Sequence, residues 1–96
     1  MKDLIHEIGI AARTGKLVLG FNKVVDLLLT GSPKMVIVSE GSPHEIKEAI
    51  LYYSQLAGVK CVKAKETTLE LGSTCGKPFP VSAIAVIDAG DSDLLN

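Results

Sequence analysis

Met35-Val36-Ile37-Val38-Ser39-Glu40-Gly41-Ser42-Pro43-His44-Glu45 is the stretch that decides the fold. Met35–Val38 is an unbroken apolar run of the length expected for a strand covered on both faces. Ser42-Pro43-His44-Glu45 then reads as a capping box with proline at the first helical position, where a missing amide costs nothing. A buried strand that passes within a few residues into a capped helix is the unit from which α/β domains are built.

Working towards the C-terminus, the helix should run to about Ala57 and stop at Gly58, a C′ glycine. Val59–Ala64 reads as a third strand, and Lys60, Lys63 and Lys65 give it the character of an edge. Thr67-Thr68-Leu69-Glu70 is a second capping box and opens a short helix that Gly72 or Gly76 should end. Gly76-Lys77-Pro78-Phe79-Pro80 is a stiff loop, Val81–Asp88 reads as a buried fourth strand, and Ala89–Asn96 is expected to be a flexible acidic tail.

Working towards the N-terminus, Ser32-Pro33 is a turn and Gly31 terminates a helix over Lys23–Thr30 for which Asn22 is a plausible N-cap. Lys16–Gly20 is a short β-rich run. Leu4, Ile5, Ile8, Ala11 and Ala12 recur at the spacing of an amphipathic helix with Gly15 as its stop. The order αβαβαβαβ predicts a three-layer α/β/α sandwich with a four-stranded, mainly parallel or mixed sheet. With 96 residues and 47% hydrophobic content, one core and one domain over 1–96 are expected.

Composition excludes several classes. The longest apolar runs, Val24–Leu29 and Val81–Ile87, are broken by Asp26 and Ser82 and fall short of the roughly 20 residues of a membrane span. The start lacks the pattern of a secretory signal, so the chain reads as cytoplasmic. Cys61 and Cys75 form no CxxC pair and have no histidine at metal spacing; His6 and His44 are isolated, and no metal or cofactor is expected.

Net charge is −1, which argues against a broad phosphate-binding surface. Three acids, Asp88, Asp91 and Asp93, lie in the last nine residues, so the remainder is mildly positive. Nucleic-acid recognition here has to rest on shape, backbone amides and a few side chains.

No nucleophile–base pair, carboxylate pair or phosphate-cradling glycine loop is present, and the corner at Gly20 lacks the spacing of either nucleotide-binding glycine motif. Two loops are more specific than turns require. Gly20-Phe21-Asn22-Lys23 opens a helix, where free amides and the positive dipole end favour a phosphate or a base edge. Asn22 serves equally as an N-cap or as a base reader, and Lys23 as a contact or as solvated surface. Gly76–Pro80 braces Phe79 between prolines, either as a stacking platform for an unpaired base or as a ring folded into the core; on the residues alone the core is preferred.

Glu70-Leu-Gly-Ser-Thr-Cys-Gly76-Lys-Pro-Phe-Pro-Val-Ser-Ala-Ile-Ala-Val-Ile-Asp-Ala-Gly-Asp-Ser-Asp-Leu94 resembles the closing signature of the archaeal and eukaryotic-type ribosomal L30e family. The resemblance extends through Thr14–Gly20, Lys34–Val38 and Glu48–Gly58, essentially the whole chain. The superfamily of kink-turn binders also contains L7Ae, whose members carry Asn-Glu after the corresponding glycine. Here Phe21-Asn22-Lys23 follows Gly20, which places the chain with L30e.

Carried over by position, the resemblance implies that Gly20, Phe21, Asn22 and Lys23 approach the sheared G·A pairs of a kink-turn. Gly41 falls in a neighbouring contact loop where relatives often have asparagine. By the same resemblance Ser73, Thr74, Gly76, Lys77, Pro78, Phe79 and Pro80 would form a second loop that holds a flipped-out nucleotide. Val24, Asp26 and Leu29 replace basic or hydroxyl residues, so fewer phosphate contacts are expected.

The implied protein is a non-enzymatic large-subunit component. Its expected partners are ribosomal RNA and neighbouring large-subunit proteins, with no membrane and a monomeric free state. The competing readings are a kink-turn-binding paralogue in RNA modification or processing and, further off, a small-molecule-binding enzyme.

Overall fold

The structure, a computed structural model, describes residues 4–31, 33–88 and 90. Asp3, Ser32 and the expected tail, apart from Gly90, lie outside the described residues. The elements follow the expected order: α1 (Leu4–Thr14), β1 (Lys16–Leu19), α2 (Phe21–Thr30), β2 (Met35–Ser39), α3 (His44–Ala57), β3 (Lys60–Ala64), α4 (Thr68–Thr74) and β4 (Ala83–Asp88).

The strands lie in the order β1-β4-β2-β3. β2 and β3 are parallel, while β4 runs antiparallel to both of its neighbours, so the sheet is mixed. Burial follows position: every residue of central β2 is buried, and β3 is the lysine-bearing edge that its composition predicts.

Side-chain alternation divides the core in two. Met35, Ile37, Ile84 and Val86 face α1 and α4, where they meet Ile8, Ala11 and Leu71. Val36, Val38, Ala83 and Ala85 face α2 and α3, where they meet Val24, Leu28 and Ile50. The small β4 residues thus lie under the helix pair α2 and α3, whose own branched side chains fill the space. Burial of each branched side chain contributes about 1.5–3 kcal/mol.

Three local expectations are corrected. Asn22 is not the N-cap of α2: Gly20 is, with φ 104° and ψ 143°, and no side chain caps the helix. That positive φ suits glycine alone, so the chain turns sharply enough for the helix to begin at Phe21. Ser42 does not cap α3 either. Pro43 occupies the N-cap position, and Ser42 Oγ donates instead to the Ser82 carbonyl at 3.2 Å. Of the two glycines expected to end α4, Gly72 does not, being buried inside the helix; the other, Gly76, follows the C-cap Cys75 with φ 76°. The other capping box is formed: Thr67 Oγ1 accepts from the Glu70 amide at 3.1 Å while Glu70 Oε1 accepts from the Thr67 amide at 3.3 Å.

Candidate nucleic-acid interface

Strand direction brings Gly20–Lys23, Gly41 and the last residues of the loop into β4 to one end of the sheet. β1, β2 and β3 all finish where antiparallel β4 begins. The starts of α2, α3 and α4 and the loop from α4 into β4 therefore meet at this end.

Backbone and hydroxyl bonds tie these loops together. The Gly20 amide donates to the Ala83 carbonyl at 3.1 Å, and the Ser39 amide to the Ser82 carbonyl at 3.0 Å. Ser39 Oγ donates to the Glu66 carbonyl at 2.7 Å and accepts from the Gly41 amide at 3.0 Å. Ser39, Ser42 and Ser82 are spread along the chain and carry no local signal. Only the folded sheet shows that together they fix the relative position of three loops, those from β2 to α3, from β3 to α4 and from α4 to β4.

At the start of α2 the first helical bond is Val24 N–H to the Gly20 carbonyl, at 3.0 Å. The amides of Phe21, Asn22 and Lys23 precede it and are the donors a helix leaves without intrahelical partners. Asn22 and Lys23 are exposed. Phe21 is half-buried, and its ring packs against the α2–α3 core, so it offers its backbone and not its ring. The arrangement favours an anion or an electron-rich edge.

The second loop stands against the first. Gly76 has φ 76° and closes the end of α4, its amide donating to the Ser73 carbonyl at 3.0 Å. The Lys77 amide donates to the Gly72 carbonyl at 2.8 Å, and Val81, 2% exposed, anchors the far end through a bond from its amide to the Thr68 carbonyl. Between these anchors Phe79 is 50% exposed, so it is not a core residue. Lys23, Lys77 and Phe79 line one cleft of about 330 Å³ over Leu17–Leu19.

Other candidates contribute differently. Thr74 Oγ1 donates to the Glu70 carbonyl at 2.8 Å and its methyl lies beside Gly9 of α1, so its side chain serves packing. Ser73, Pro78 and Pro80 are exposed. Gly41 is exposed at the rim, but its amide is occupied by Ser39 Oγ and lies close to Thr67. The sequence reading missed Leu17 and Leu19, which floor the cleft; their alternation with Val18 signals a strand but not which edge it leaves free.

The two thiols are shielded. Burial pushes Cys75 above the ordinary thiol range, with Lys77 pulling weakly the other way. Burial also raises Cys61, opposed by the Ser54 hydroxyl and Lys63. That hydroxyl is buried and has no partner within ordinary hydrogen-bond geometry among the described residues. Among the described residues no cluster of histidine, cysteine and carboxylate side chains could hold a metal ion, and no helix is long and apolar enough to cross a membrane.

Fold and topology together define a small α/β/α sandwich with a four-stranded mixed sheet. The chain belongs to the ribosomal protein L7Ae/L30e/S12e/Gadd45 family, whose sequence pattern matches residues 2–96. It is 43% identical over 95 residues to the large ribosomal subunit protein eL30 of Methanopyrus kandleri, covering 99% of this chain and 87% of that protein. Against the eL30 protein of Pyrobaculum islandicum it is 40% identical over 95 residues, covering 99% of this chain and 94% of the relative. Against that of Methanococcus maripaludis it is 38% identical over 94 residues, covering 98% and 94%.

Proposed function

We propose that this chain is a structural component of the large ribosomal subunit that binds ribosomal RNA at a kink-turn and holds the RNA in its bent form. The observation that carries the reading is the single cleft in which Lys23, at the amide-rich start of α2, faces Lys77 and the exposed Phe79. Free amides and Asn22 address the base edges at the kink, lysines address phosphates, and the ring accepts an unpaired base. The chain acts as one domain, monomeric until it meets the RNA, on cytoplasmic ribosomes beside other large-subunit proteins. The names of its relatives support that placement.

No catalytic step is involved. A protein that binds only the kinked state shifts the RNA population towards it by its differential affinity. The test is a duplex labelled at both ends around a kink-turn, titrated with the protein. Energy transfer should rise on binding, and replacing the sheared G·A pairs by Watson–Crick pairs should abolish both the rise and the affinity. Equal binding to the straight control overturns the proposal. Recovery of the tagged chain on purified large subunits, rather than on smaller particles, separates the ribosomal role from that of a paralogue in RNA processing.

A further inference from the structure

The free edge of β1 leads directly out of the cleft that holds Phe79. Among the described residues β1 pairs with β4 on one side only. The Gly20 amide, which continues the strand, points at the Ala83 carbonyl, and the register is regular from Leu19 back to Leu17. Alternation along an antiparallel ladder therefore turns the N–H and C=O groups of Leu19 and Leu17 outward.

Two clefts open along this edge. The first, of about 330 Å³, holds Lys23, Lys77 and Phe79. The second, of about 240 Å³, shares Leu17, Leu19 and Lys77 with the first and continues past Cys75 to Lys16 and Gly15. They form a continuous trough with an apolar floor, Lys23 and Lys77 at one end and Lys16 at the other. Among the described residues none of these lysines is held in an ion pair. The acid nearest Lys16 along the ladder is its register partner Asp88, whose Oδ1 accepts from the Gly90 amide at 2.9 Å.

We propose that a single strand of RNA, continuing from the nucleotide stacked on Phe79, lies in this trough with its bases on Leu17 and Leu19 and its phosphates on Lys77 and Lys16. The inference rests on the kink-turn reading and adds a second subsite to it. An apolar floor accepts the face of any base, and the outward backbone groups of β1 match a ribose 2′-hydroxyl, which both donates and accepts. Lys16 to Leu19 spans roughly 10 Å of strand, room for one base on each of Leu17 and Leu19 with a further nucleotide reaching Lys16, about three nucleotides in all. The other ligand class for a free edge is a peptide that adds a strand. A four-residue edge flanked by lysines is a poor template for it, and continuity with Phe79 favours RNA.

Two RNAs test this. Both carry the same kink-turn; in one the unpaired segment ends at the nucleotide stacked on Phe79, and in the other it is about three nucleotides longer. By fluorescence anisotropy the protein should bind the longer RNA roughly tenfold tighter. Lys16→Glu should abolish that gain and leave the shorter RNA bound as before, while Lys60→Glu, on the opposite edge strand, should keep the gain. Amide exchange at Leu17 and Leu19 should slow only with the longer RNA. Equal affinity for the two RNAs, or a gain that survives Lys16→Glu, overturns the trough alone. Protection of these amides by an extended peptide, with no RNA gain, assigns the edge to strand addition and overturns it too. Failure to bind either RNA overturns the kink-turn reading, and the trough falls with it.

Discussion

Gly72 and Phe79 are packed back to back: the Phe79 backbone crosses α4 at Gly72 so closely that a methyl group at Gly72 would overlap the Phe79 carbonyl. The Lys77 amide donates to the Gly72 carbonyl at 2.8 Å, so the same point of the helix seats both ends of the aromatic loop. A buried residue inside a helix thereby sets the position of an exposed ring that it never touches through a side chain.

Gly72→Ala should therefore act on both stability and RNA binding. Gly72 has no positive φ, so the cost is steric and of the overpacking kind, about 1–3 kcal/mol in urea unfolding. Because the obstructing atoms are backbone, relief requires the loop to move. Kink-turn affinity should fall in the folded protein as well. A variant with normal stability and normal affinity would show that the loop shifts without consequence.

Phe79→Ala separates a stacking ring from a core ring. A ring 50% exposed has only half its surface to lose, so stability should drop by roughly 1 kcal/mol, well below the 3–5 kcal/mol of a buried phenylalanine. Affinity for RNA should fall by about 1–3 kcal/mol if an unpaired base rests on the ring. A large stability loss with intact binding would return Phe79 to a packing role.

The two positions also show what was legible in the sequence. The order of elements, the buried β2 and β4 and the edge β3 follow from apolar runs and lysine placement, because those signals are local. Gly72 carried a false local signal: a glycine near a helix end reads as a terminator, whereas its reason is a long-range crossing by Phe79. Ser42 was misread similarly, since a serine three residues before Glu45 suggests a cap, yet its hydroxyl is taken by Ser82 across the sheet. Lys23, Lys77 and Phe79 each carry a local signal of their own. Their meeting in one cleft depends on β4 running antiparallel beside β1, which local periodicity does not specify.

Asn22 and Lys23 should be separable from the fold. Asn22 caps nothing, so Asn22→Ala should leave the urea midpoint unchanged and weaken binding only to RNA with intact G·A pairs. Lys23→Ala, also at an exposed position, should cost roughly 1–2 kcal/mol of affinity with little discrimination among sequences. Calorimetric titration of both variants checks this. Affinity unaffected in both would move the interface away from α2.

The thiols give a pH signature. Burial raises Cys61 and Cys75, so alkylation, which needs the thiolate, should be slower at pH 8 than for an unfolded control and accelerate as pH rises. A thiol pKa that is higher in the folded than in the unfolded chain contributes stability that is whole below the ordinary thiol pKa and is lost as pH rises through the raised value. The urea midpoint should thus decline as pH rises above the ordinary thiol range, and a Cys61→Ser, Cys75→Ser variant should flatten that decline. Long-loop RNA should also slow alkylation of Cys75, which lines the β1 trough, and leave Cys61 on β3 unaffected.

Salt dependence measures how far charge contributes to the complex. The chain has a net charge of −1, and the cleft at the start of α2 offers Lys23 and Lys77 together with free amides that carry only partial charge. With about three phosphates neutralised, log K against log salt should have a slope of roughly −2 to −3 for a minimal kink-turn. The longer RNA engages Lys16 as well, so its slope should be steeper by about one, and Lys16→Glu should remove the increment. A slope beyond about −6 for the minimal RNA would mean that a broad basic surface, rather than shape and amide donors, holds the RNA.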